Sequence, residues 1–187
     1  MKLSFKAILK PALPLVVICL VVSLVLSLTN MLTADRIAQL QKEKETAAMQ
    51  RIYNCDVFEK GTVDVGCEYY IAEEKGLIFN VKTNGYGGQI TVMVGVNCDL
   101  TVKAVEIIDV SGETVGLGQR AAEESFYSQF VGKVSGITVS KNSVGENQIK
   151  AITGATISSQ AVTDAVNTAL EYAEMIIGTA SSEGGAN

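Results

Sequence analysis

The chain has 187 residues, 48% of them hydrophobic but only 6% aromatic, with no tryptophan and a formal net charge of −5. That length suits one domain plus an appendage, and the acidic balance leaves no basic face to neutralise a phosphate backbone, which argues against nucleic acid as a partner. Histidine is absent, so no Ser-His-Asp or Cys-His site can be built from this chain alone, and the commonest general base and metal ligand are missing.

In chain order, Lys2, Lys6 and Lys10 come first, and then no charge occurs from Pro11 to Ala34. The middle of that run, "LPLVVICLVVSLVLSLT", is dense in Leu and Val, and about 20 such residues span a bilayer as a helix. A cleaved signal peptide is the competing reading. Its apolar core is shorter, about 7–15 residues, and ends at a small-residue cleavage site that "NMLTAD" does not supply. A retained anchor over 11–34 is therefore expected, with Pro11 and Pro14 in its first turns, where a missing N–H costs least. The lysines ahead of the span place residues 1–10 in the cytoplasm by the positive-inside bias and the remainder outside, at a cell membrane.

Residues 35–54 carry Ile37, Leu40, Ala47, Ala48 and Ile52 at near-helical spacing and read as a helical stalk. "CEYYIAEE", "LIFNVKT", "QITVMVGV" and "TVKAVEIIDV" are strand-like, with "NGYGG" and "NCD" as turns, which together predict an antiparallel meander. "RAAEESFYSQFVGK" reads as one short helix with Ala122, Phe126 and Phe130 on a face and Gly132 as its stop. "GITVS" and "NQIKAI" are two further short strands. A closing helix, "SSQAVTDAVNTALEYAEMIIG", carries a stripe of Val162, Ala165, Val166, Ala169, Ala173 and Ile176 and is expected to end at Gly178, leaving 179–187 as a flexible tail. The class is α+β, with a single transmembrane helix, an antiparallel-sheet domain over 55–178 and a C-terminal helix.

Among the four cysteines, Cys19 lies in the apolar run, and Cys55, Cys67 and Cys98 form no CxxC pair, so no metal site is expected. A Cys55–Cys67 disulfide is open on spacing alone. Three glycine-bearing stretches stand out. "GLGQRA" formally fits a dinucleotide fingerprint, but the strand pattern stops near Val110 and no βαβ unit follows. "TNGYGG" reads as a hairpin turn. "TGAT" opens the last helix. Thr156 or Ser158 could cap it, yet the same free N–H groups and helix dipole also suit a phosphate.

Taken in order, "GYGGQITVMVGV", "EIIDVSGETVGLGQR" and "ITGATISSQAVTDAV" behind one anchor resemble the G subunit of Rnf complexes. Those are membrane-bound ferredoxin:NAD+ oxidoreductases that couple electron transfer to Na+ or H+ movement. The FMN-binding domain is shared with the C subunit of the Na+-translocating NADH:quinone oxidoreductase. The resemblance implies FMN joined through its phosphate to Thr156. Thr153, Gly154 and Ala155 then shape the turn and leave room for the phosphate and for the flavin transferase that attaches it. It also implies that the loop of Glu113, Thr114, Val115, Gly116, Leu117 and Gly118 lies against the flavin ring, with Val115 where the family has Pro. Lys150 stands where the family often has Asp, and a cation there suits a nearby phosphate. The implied partners are the other membrane, iron–sulfur and flavin subunits, and the cofactor rather than a catalytic side chain carries the chemistry. The alternatives are a flavin subunit of the quinone reductase, a stand-alone extracytoplasmic flavin carrier, or a tethered binding domain without cofactor.

Overall fold

A computed structural model describes residues 5–54, 59–62, 68–72, 76–142 and 145–183. Cys55 and Cys67 lie outside the described residues, and the disulfide expectation lies there with them.

Helix α1 runs unbroken over Phe5–Ile52. Span and stalk are therefore one helix, and Pro11 and Pro14 lie inside it rather than in its first turns, because helical backbone starts upstream at Phe5. Its apolar part carries a mean hydropathy of 2.7 and is long enough to cross a membrane. The chain divides into two compact units at Glu43/Lys44, inside the expected stalk.

In the second unit, five antiparallel strands follow the meander order: β1 (Glu59–Thr62), β2 (Glu68–Ala72), β3 (Gly76–Asn84), β4 (Gln89–Asn97) and β5 (Val102–Asp109). Four of them match the strand-like stretches, and β1 is an addition paired to β2. β4 is buried from Ile90 to Val96 because the sheet is covered on both faces. Leu77, Phe79, Val81, Ile90, Val92, Val94 and Val96 point to one side and pack against the last helix, α3 (Thr156–Glu183). Ile78 and Met93 point to the other side, under Ala48, Met49, Ile52 and Tyr53 from the end of α1 and the residue after it. The two-residue alternation of a strand sorts its side chains between these layers. Gly95 is bare because Ile52 fills the space its Cβ would need, and Tyr53 donates its hydroxyl proton to the Val96 carbonyl at 2.8 Å.

The single helix expected over 120–133 is instead three short pieces. A 3-10 turn spans Gly118–Ala122, α2 covers Glu124–Tyr127, and a second 3-10 turn covers Ser128–Phe130. Glu123 breaks the run with extended backbone at ψ 136, which resets the phase. Ala121, not Ala122, is therefore the buried alanine beside Phe126 and Phe130. Gly132 ends the segment at φ +76, a left-handed position where glycine is unstrained. Strands β6 (Thr138–Ser140) and β7 (Gln148–Lys150) pair in parallel as a separate small sheet.

In α3 the expected stripe is buried from Val162 to Ala173, while Ile176 is half-buried. Gly178 does not end this helix, which continues to Glu183. The position is exposed with open space around it, and one interior glycine weakens a long helix by only about 1 kcal/mol.

Candidate functional site

The glycine-bearing stretches converge on one buried carboxylate. Glu113 is 4% exposed. Its Oε2 accepts the Ser158 hydroxyl proton at 2.9 Å, and its Oε1 accepts the Gly87 N–H at 3.2 Å. Glu113 thus ties the "NGYGG" turn between β3 and β4 to the loop after β5 and to the first turn of α3. Bare backbone makes room for it: Cβ atoms at Gly85 or Gly118 would overlap the Glu113 carboxylate. Gly88 and Gly112 pack backbone to backbone, with a Cβ on Gly88 falling 2.9 Å from Gly112 Cα. "TNGYGG" is therefore a hairpin turn, as read, and also one wall of a site.

Two turns of the same kind shape the opposite wall. The Leu117 N–H donates to Thr114 O at 3.1 Å with Gly116 at φ +76, and the Ala155 N–H donates to Ile152 O at 3.0 Å with Gly154 at φ +81. A positive φ at the third residue of a four-residue turn is the type II pattern, and it selects glycine. The second turn is locked from behind. Ser159 Oγ accepts the Ile152 N–H at 3.0 Å and donates to Ala155 O at 2.9 Å.

Between these walls lies a cleft of about 450 Å³, lined by Tyr86, Glu113, Thr114, Leu117, Gly118 and the Gly154–Ser158 stretch. That volume falls in the range of small-molecule sites. Tyr86 (71% exposed) and Ile157 (56% exposed) form its apolar rim. The N–H groups at the first turn of α3 have no intrahelical partner, and the helix dipole adds partial positive charge there.

Neither hydroxyl considered as a cap serves as one. Helical backbone begins at Thr156, Ser158 is engaged with Glu113, and Thr156 Oγ1 makes no hydrogen bond among the described residues. Glu113, Thr114, Leu117, Gly118, Gly154, Ala155 and Thr156 share the cleft. Lys150 and Thr153 do not line it. They line a second cleft of about 350 Å³ with Arg120, Glu123 and Gln129. There the Arg120 guanidinium, in two hydrogen bonds at 3.0 and 3.2 Å, holds the exposed Glu123 carboxyl below its usual range. The structure adds Tyr86, Gly87 and Ser159 to the expected site residues. Ser158 and Ser159 do have a signal: counting back three and four positions from Val162, the buried stripe of α3 lands on them.

Comparison with known proteins fits these segments. The FMN-binding domain family matches residues 85–171, and the RnfG N-terminal region family matches residues 1–52. The chain is 32% identical to the G subunit of the Na(+)-translocating ferredoxin:NAD(+) oxidoreductase complex of Acetobacterium woodii, over 91% of this chain and 93% of that one.

This chain belongs to the RnfG family.

A second relative is the G subunit of the proton-translocating ferredoxin:NAD(+) oxidoreductase complex of Clostridium ljungdahlii, 32% identical over 88% of this chain and 90% of that one. Among solved structures, the C subunit of the Na(+)-translocating NADH-quinone reductase from Parabacteroides distasonis aligns at TM-score 0.49 and 23% identity, covering 59% of this chain and 61% of that one. The two matched segments cover an N-terminal apolar helix that anchors the protein in a membrane and a flavin-type domain that contains both walls of the cleft.

Proposed function

We propose that this RnfG-family chain is the flavin-carrying subunit of a membrane-bound complex that passes electrons between ferredoxin and NAD+ and couples the transfer to Na+ or H+ movement. Its FMN is joined by a phosphoester to Thr156. The observation that carries the reading is the Thr156 hydroxyl, free of protein partners among the described residues and set at the mouth of the cleft beside the open amides of α3. FMN supplies reversible electron uptake. The chain's own residues supply the rest. The first-turn amides of α3 hold the phosphate charge, which the helix dipole favours. At Gly154 the positive φ of the type II turn selects glycine, and a Cβ there would crowd Leu117 Cδ2 at 3.0 Å. Leu117, Tyr86 and Ile157 offer apolar surface to the ring, and Thr114 and Gly118 let backbone approach it.

In this reading residues 1–10 are cytoplasmic, 11–34 cross the membrane, and the domain over 55–178 works outside. The partners are the other redox subunits of the complex and the flavin transferase that forms the ester. Thr153 and Lys150, in the adjoining cleft, belong to the surface such a transferase would meet. The relatives at 32% identity favour this complex over a quinone reductase. A denaturing gel of protein from its native host tests it: the band should fluoresce under ultraviolet light, and Thr156→Ala should be dark. A dark wild-type band, or a bright Thr156→Ala band, contradicts the proposal.

A further inference from the structure

We infer that Glu113 is a potential-setting residue: its buried carboxylate holds the cleft at negative potential and makes the cofactor harder to reduce. The inference rests on the FMN reading above and goes beyond loop contact with the ring. Three observations carry it. Glu113 lines the cleft and is almost entirely buried. Both of its oxygens accept hydrogen bonds, from Ser158 Oγ–H and from Gly87 N–H, the acceptor-only pattern of an ionised carboxylate. Among the described residues no Lys or Arg side chain lines this cleft, since Lys150 and Arg120 line the adjoining one. A carboxylate without a cationic partner in a low-dielectric wall acts strongly on charge added nearby. Electrons entering a flavin add negative charge, so a fixed anion opposes them.

The glycines fit this role as well as a structural one. Gly85 and Gly118 crowd around the carboxylate as backbone, so no larger side chain at these two positions intrudes on it. The donors that remain are a hydroxyl and an amide, which stabilise the anion without cancelling its charge. Ser158 and Glu113 are then a matched pair with opposite expected effects. Neutralising Glu113 removes the opposing charge. Removing the Ser158 donor leaves that charge in place and less compensated.

The test uses the full chain in detergent, loaded with flavin in its own host, and begins by confirming flavin in the wild-type protein. A flavin-free wild type rejects the FMN reading itself, before Glu113 is addressed. With flavin present, the midpoint potential is measured by dye-mediated reductive titration at one pH. Glu113→Gln is expected to shift the potential upward, and Ser158→Ala downward. If Glu113→Gln does not fold or retain flavin, the sign of the Ser158→Ala shift decides alone. An unchanged potential, or shifts of the same sign in both variants, overturns the inference. A purely structural role would disturb flavin content or unfolding temperature without producing opposed shifts.

Discussion

At the scale of single residues, the site is built by what glycines leave out and by what one carboxylate ties together. The loop Glu113–Gly118 shows how a sequence departure maps onto geometry. Val115 occupies the second position of a type II turn whose third residue is Gly116 at φ +76. That second position is where proline is preferred, and Val115 is 79% exposed, with its N–H in none of the turn's backbone hydrogen bonds. Restoring the family's residue, Val115→Pro, should therefore stabilise the folded chain by about 0.4–1 kcal/mol through a less flexible unfolded state, read as a rise in the midpoint of denaturant unfolding. Destabilisation would mean that this turn is not of the type described. Ser159 gives the opposite case. It is fully buried and satisfies the Ile152 N–H behind the Thr153–Gly154 turn. Ser159→Ala leaves that donor unpaired and should cost about 1–3 kcal/mol. Flavin content should fall with it, since the turn that presents Thr156 loosens.

At the scale of elements, the sheet is held between two helical layers, and the end of α1 packs directly on β4. Gly95→Ala would drive a methyl group into Ile52 Cγ2. Overpacking of this kind costs about 1–3 kcal/mol, and adding Ile52→Ala should recover part of it, a coupling that a double-mutant cycle in denaturant unfolding detects. Independent, additive losses would place Ile52 elsewhere. This contact also shows what the sequence could and could not reveal. Alternation and β-branched residues made β2 to β5 legible, and the apolar stripe made α3 legible. The apolar run in β4 is buried on both faces, and nothing in the pattern named the end of α1 as the second cover. A helical period carried across Glu123 points to Ala122, but the backbone turns extended there and Ala121 is buried instead. Gly178 reads as a stop because glycine so often is one, whereas an exposed glycine in a long helix costs too little to break it. The site followed the same division. The residues of "SGETVGLG" and "TGAT" could be named from the motifs they carry. Tyr86 and Gly87 emerged only when the β3–β4 turn met the Glu113 loop, because such contacts have no local period, whereas the two inner serines lie on the buried stripe of α3.

At the scale of the whole molecule, two units serve two tasks. An apolar helix anchors the chain, and an acidic domain without histidine offers a cleft to a cofactor that brings its own chemistry. Deleting residues 1–34 should move the protein from the membrane fraction to the soluble fraction on ultracentrifugation. The shortened protein should keep the unfolding transition of the sheet domain, since the described core residues of that domain begin at Ala48. Persistence in the membrane fraction would assign the attachment to another surface. The central claim is the ester at Thr156. The sequence contains no Lys or Arg after Lys150, so trypsin releases one peptide beginning at Ala151 that carries both Thr153 and Thr156. Mass measurement of that peptide from natively expressed protein should find it heavier by FMN less one water, with fragmentation placing the added mass on Thr156. An unmodified peptide, or an added mass on Thr153, would contradict the account.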